Sequence, residues 1–133
     1  MENQKSTLLA RVLLGLPFVV FGLNGFLHFI PMQPMNERSM DLMMAFVRTG
    51  YFIHFLSACE VLGGFMVLSG FFVPLGLLIL APLMANIILF HIFLTPGPKN
   101  MILPVVLTAI GLFLAKKYHK VFAPILRIKQ DNN

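Results

Sequence analysis

The chain has 133 residues, 58% hydrophobic and 11% charged, with a mean hydropathy of +0.86. Soluble domains carry about 25% charged residues, so this composition excludes a water-soluble globular protein and indicates an integral membrane protein forming one compact bundle. The net charge of +5 does not indicate nucleic acid, because the 14 Phe sit inside apolar runs and not between basic residues along a groove.

Leu8–Ile30 is the first apolar run, interrupted by Arg11, Asn24 and His28. At about 1.5 Å per residue it crosses a hydrocarbon core of roughly 30 Å. No small-x-small cleavage pattern follows it, so it reads as an uncleaved transmembrane helix. Gly15, Gly22 and Gly25 give a neighbouring helix room to approach. Pro31 and Pro34 end the run.

Residues 36–48, NERSMDLMMAFVR, are too charged to span. Asn36 or Ser39 suits an N-cap, and Met40, Met43, Met44 and Val47 fall on one helical face. The segment predicts a short amphipathic helix on the membrane surface. The second span covers residues 51–70, with Glu60 near its centre and Gly63 and Gly64 expected on the same side. A turn of a few residues leads to the third span, 74–94, in which Pro82 predicts a kink that frees a backbone carbonyl near Asn86. Thr95-Pro96-Gly97-Pro98 is a hard break before the fourth span, 99–117, which Lys116 and Lys117 extend by snorkelling. Residues 118–129 read as a basic interfacial segment, and His119 as a surface residue. Short connections imply antiparallel neighbours. The predicted fold is all-α, a four-transmembrane-helix antiparallel bundle with a short outer amphipathic helix between the first two spans.

With four spans the termini share a side. That side carries Lys5, Arg11, Lys116, Lys117, Lys120, Arg127 and Lys129, against Arg38, Arg48 and Lys99 on the other. The positive-inside rule then puts both termini in the cytoplasm of a bacterial inner membrane.

This orientation arranges the polar residues of the spans in layers. His28, His54 and His91 lie roughly 3–5 Å below the outer boundary, and Asn24, Glu60 and Asn86 roughly 9–14 Å deep. Polar groups in hydrocarbon are costly unless they pair, so these six residues predict an enclosed polar pocket that opens outward. A carboxyl at mid-bilayer is a functional candidate by default, whereas a Glu60 bonded to Asn86 would serve packing. Glu60, His91, His28 and His54 are the candidates for proton handling, and all six for ligand binding. A quinone head group suits such a pocket, since its carbonyls need donors and its reduction needs protons. Histidines at one level can ligate haem b, and His28 with Met32, Met35, Met40, Met43 and Met44 can hold copper(I). Neither alternative needs the layering, so no metal site is predicted. Cys59 is the only cysteine, which excludes an internal disulfide and any Cys-x-x-Cys relay; it reads as a packing residue.

RVLLGLPFVVFGLNGFLHFIP (Arg11–Pro31), AFVRTGYF (Ala45–Phe52), EVLGG (Glu60–Gly64) and FVPLGLLILAPLMANIILFHIFL (Phe72–Leu94) together resemble the DoxX family of small membrane proteins. The resemblance extends over about residues 11–115. It implies four transmembrane helices, no cofactor motif in the fold, and a redox setting. Relatives include the membrane subunit of thiosulfate:quinone oxidoreductase and membrane partners of enzymes that handle thiol or oxidative stress. Asn24, His28, Glu60, Asn86 and His91 fall on the matching segments. The chain departs from direct disulfide chemistry in lacking a cysteine pair. It also offers no soluble partner domain, so any enzymatic role is that of an accessory subunit. The expectation is a redox-associated, quinone-facing subunit whose partners are the bilayer, a soluble redox protein and further copies of the chain. The alternatives are a non-catalytic scaffold or assembly partner and a small-solute transporter.

Overall fold

The computed structural model describes residues 2–125, which are helical with short connections. Four helices are long and apolar enough to cross a membrane: α1 (Glu2–Leu27), α3 (Phe52–Ser69), α4 (Val73–Phe93) and α5 (Pro98–Lys117). A short α2 (Glu37–Arg48) lies between α1 and α3, and the single turn α6 (His119–Phe122) follows α5. This is the predicted architecture. The rest of the basic segment expected over 118–129, including Arg127 and Lys129, lies outside the described residues.

The helices close a ring in which α1 packs on α3, α3 on α4, α4 on α5, and α5 returns to α1. The α1–α3 seam is the tightest, because backbone meets backbone there. A Cβ on Gly15 would sit 2.7 Å from the Gly64 carbonyl oxygen, and one on Gly64 would sit 2.9 Å from that of Gly15. Gly22 faces Val61 and Gly25 faces Ser57, so the two helices run antiparallel. The adjacent glycines of α3 serve different neighbours, since Gly63 meets Ile79 and Leu80 of α4 while Gly64 meets α1. One residue is 100° on a helix, enough to turn the second glycine toward another partner. Leu14, Phe18, Val67, Leu80 and Leu114 form the core where the spans converge.

The helix ends follow from local hydrogen bonding. α1 begins earlier than the apolar run because Ser6 and Thr7 donate back to the Asn3 carbonyl. It stops at Leu27, three residues before the run ends. His28 there adopts φ +51°, and the Asn24 side chain accepts from the Ile30 amide at 2.7 Å. At the other end of the bundle, Arg11 reaches from α1 to the last turn of α3. Its Nε donates to the Val67 carbonyl at 3.0 Å and a terminal nitrogen to that of Leu68 at 3.2 Å. Helix C-terminal carbonyls lack intrahelical donors, and a cation there also meets the negative end of the macrodipole. Gly70 closes α3 at φ +87°, directly against the guanidinium. α4 runs continuously through Pro82.

α2 is capped by Asn36, whose side chain accepts from the Ser39 amide at 2.9 Å. The Asn36 amide group and the Ser39 hydroxyl also donate to the Leu94 carbonyl at the end of α4. Ser39 is fully buried as a result. The inner face of α2 runs through Ser39, Met43 and Phe46, and Phe46 stacks on Phe52 with ring centroids 4.3 Å apart. Of the four residues expected on one apolar face, Met40 and Met43 are half-buried while Met44 and Val47 are exposed. The need to seat Ser39 on the end of α4 sets this rotation.

Candidate functional site

At the α2 end of the ring, α1, α3, α4 and α5 leave a cavity of about 410 Å³ between them. Its walls are mostly apolar, with Pro17, Phe18 and Phe21 from α1, Ile87 from α4, and Leu103, Pro104 and Leu107 from α5. Into it come Glu60 of α3, His91 of α4, and Lys99 and Asn100 of α5.

Each polar residue is set by its helix. Glu60 lies one turn from Gly64 and close to one turn from Ser57, the residues that α1 packs against, so the carboxyl is carried on the α1 side of α3. His91 sits in the last turn of α4, where its Nδ1 lies 2.7 Å from the Ile87 carbonyl oxygen. A carbonyl only accepts, so Nδ1 carries the proton and Nε2 of the neutral ring is the acceptor. Gly97 and Pro98 start α5 abruptly and place Lys99 and Asn100 in its first turn. Lys99 and Asn100 therefore line the cavity at the positive end of the α5 dipole, while Glu60 lines it from α3. Asn100 is held by a bond from Nδ2 to the Thr95 carbonyl at 3.0 Å. Pro104 has no N–H, which leaves the Asn100 carbonyl without its usual i+4 donor beside the cavity.

The six residues of the predicted pocket divide. Glu60 and His91 meet in the cavity, although they are 31 positions apart in the sequence. Asn24 serves the end of α1 through Ile30. His28 is exposed just beyond that end. His54 is exposed too, with its ring 5.6 Å from that of Phe26. Asn86 is exposed on the outer side of α4. Lys99 and Asn100 complete the lining and were not among the six: they open the fourth span expected over 99–117, where Lys99 counted only toward orientation. The signal that marks them is a polar pair directly after a Pro at the start of a span, at the same end as His91. Among the described residues, no three His, Cys, Asp or Glu side chains gather as a metal site. Cys59 is free and half-buried in α3.

A second, apolar groove of about 740 Å³ runs between the other halves of α4 and α5. Its only polar side chains are Thr108, which bonds the Pro104 carbonyl, and His119, which bonds that of Lys116. That leaves the 410 Å³ cavity as the place where an acid, an imidazole, an ammonium and an amide share an apolar enclosure.

Residues 6–92 match the family model described as DoxX, about two thirds of the chain. The matched stretch contains Glu60 and His91, whereas Lys99 and Asn100 lie beyond it. No curated protein and no solved structure gives a match.

Proposed function

This chain belongs to the DoxX family, and from that premise we propose that it is a redox-associated membrane subunit whose cavity receives a quinone head group. One observation carries the reading: Glu60 and His91, from different helices, line the same apolar cavity with Lys99 and Asn100. The volume of about 410 Å³ falls within the range of small-molecule sites, about 300–1,000 Å³.

Reducing a quinone to a quinol consumes two electrons and two protons. The electrons come from a soluble redox partner, and the cavity residues supply positioning and protons. The Lys99 ammonium and the Asn100 amide are donors for the head-group carbonyls. Glu60 and His91 are groups of the kind that pass protons at a buried site. The mostly apolar walls lower the local dielectric and strengthen each polar contact. In the proposed orientation the termini are cytoplasmic and the cavity lies toward the outer face of a bacterial inner membrane.

The test uses the purified protein in lipid nanodiscs with a short-tailed quinone, measuring binding by native mass spectrometry. Near-stoichiometric binding is expected, with at least a tenfold loss in Glu60→Gln and His91→Ala and no change in melting. A protein that binds no quinone, or variants that only melt earlier, would sink the reading in favour of a scaffold whose polar residues lock the helices together.

A further inference from the structure

Asn86 is a primary amide on a lipid-facing surface. It is exposed on α4, seven residues before the end of the helix at Phe93. At about 1.5 Å per residue that places it roughly 10 Å inside the hydrocarbon. The side-chain hydrogen bonds near this end of α4 go to the Ile87, Phe93 and Leu94 carbonyls, and none among the described residues involves Asn86. Lipid chains offer the amide neither a donor nor an acceptor.

A second unmet group lies on the same surface. Pro82 has no N–H, so the Leu78 carbonyl has no helical donor, and both residues are exposed. The surrounding surface has the spacing of a helix–helix seam. Leu75, Pro82 and Leu89 recur every seven residues, Asn86 and Phe93 form an interleaved second row, and all are exposed. The two rows are the d and a positions of a left-handed pair of helices, with Asn86 in an a position; one heptad earlier the a position is Ile79, which packs against Gly63, so the seam lies along the half of α4 nearer Phe93. The opposite side of α4, through Gly76, Leu80 and Met84, is buried in the bundle.

We propose that two copies of the chain associate in the membrane along this face of α4, with the Asn86 amides pairing across a two-fold axis. An amide is its own complement: the NH₂ of one copy meets the carbonyl of the other, and symmetry supplies the second bond. A polar residue at one a position also fixes the register of the pair. The seam lies on the outside of the ring, away from the cavity, so the association is independent of what the cavity binds.

The test uses the full chain in lipid vesicles, on a Cys59→Ala background for crosslinking. Leu89→Cys is expected to form an intermolecular disulfide under mild oxidation. Ile102→Cys, at a similar depth on exposed α5, is not. Subunit counting at increasing lipid dilution should show a dimer whose dissociation constant rises about fivefold in Asn86→Leu and is retained in Asn86→Gln. The melting of the dissociated monomer should not change, because Asn86 is exposed and no side-chain hydrogen bond among the described residues involves it. A wild-type chain that stays monomeric at every dilution overturns the proposal. So does equal crosslinking at Ile102→Cys, or an Asn86→Leu variant that associates as tightly as wild type.

Discussion

Replacing Arg11 with Met measures how firmly α1 holds the carboxyl end of α3. The guanidinium makes two charged bonds, to Val67 at 3.0 Å and Leu68 at 3.2 Å. Charge-assisted bonds of this kind contribute about 1.5–3 kcal/mol each. Arg11 is half-buried near the membrane boundary, where water can replace part of that contribution, so the expected net loss is about 2–3 kcal/mol. Arg11→Lys should recover roughly half, because a single ammonium cannot span two carbonyls as the planar fork does. Gly70 gives the internal check. An alanine there costs about 1–2 kcal/mol for its left-handed backbone, and its Cβ would also lie 2.5 Å from the Arg11 guanidinium. With Arg11→Met already present the collision disappears, so the double variant should be more stable than the sum of the single losses predicts by about 1 kcal/mol. Equilibrium unfolding in mixed detergent micelles, followed by circular dichroism, reads the wild type and all four variants. If Arg11→Met lies within about 0.5 kcal/mol of wild type, or Lys is indistinguishable from Arg, the side chain serves topology only and the capping argument fails.

Gly15→Val places branched carbon against the Gly64 backbone and should lower stability by about 1–3 kcal/mol in the same assay; a neutral result would mean the α1–α3 seam is looser than its geometry. Asn36→Ala removes both the α2 cap and a bond to Leu94. It should cost about 1–2 kcal/mol and speed amide exchange in α2 but not in α3; uniform exchange would show that α2 is held by its apolar face alone. Leu103→Trp adds bulk to the cavity wall and should weaken quinone binding at least tenfold without lowering the melting temperature, whereas unchanged binding would place the ligand elsewhere.

The four spans were legible because each is a long apolar run between Pro- or Gly-rich breaks, and α2 because its charge and cap residues stand out. Which way each residue faces was much less so. α4 is apolar on every side, so nothing in its pattern says that His91 turns inward while Asn86 turns outward; only the packing of Gly76 and Leu80 against α3 decides it. Asn24 looked like a pocket residue since polar side chains in spans usually face inward, yet α1 ends early and its side chain is taken by the Ile30 amide. Arg11 counted toward orientation, and its long-range bonds to α3 cannot be read from α1. Glu60 and His91 fell within the predicted set because depth in the bilayer is a one-dimensional quantity that the sequence does carry, but depth placed them in different layers and could not separate them from the other four. Azimuth around the helix depends on neighbours the sequence does not name.

The ring closes only when α5 returns to α1, and that has a consequence for how the chain is made. Helices leave the ribosome in order, so α1 and α3 can clamp together, and Arg11 can find Val67, while α5 is still being synthesised. Glu60 therefore enters the bilayer before Lys99 and Asn100 exist to share its enclosure. Until the last span arrives, the carboxyl faces lipid, the insertion machinery or water across an open side of a three-helix intermediate. A chain arrested before Pro98 should remain bound to that machinery, and release should coincide with the arrival of α5.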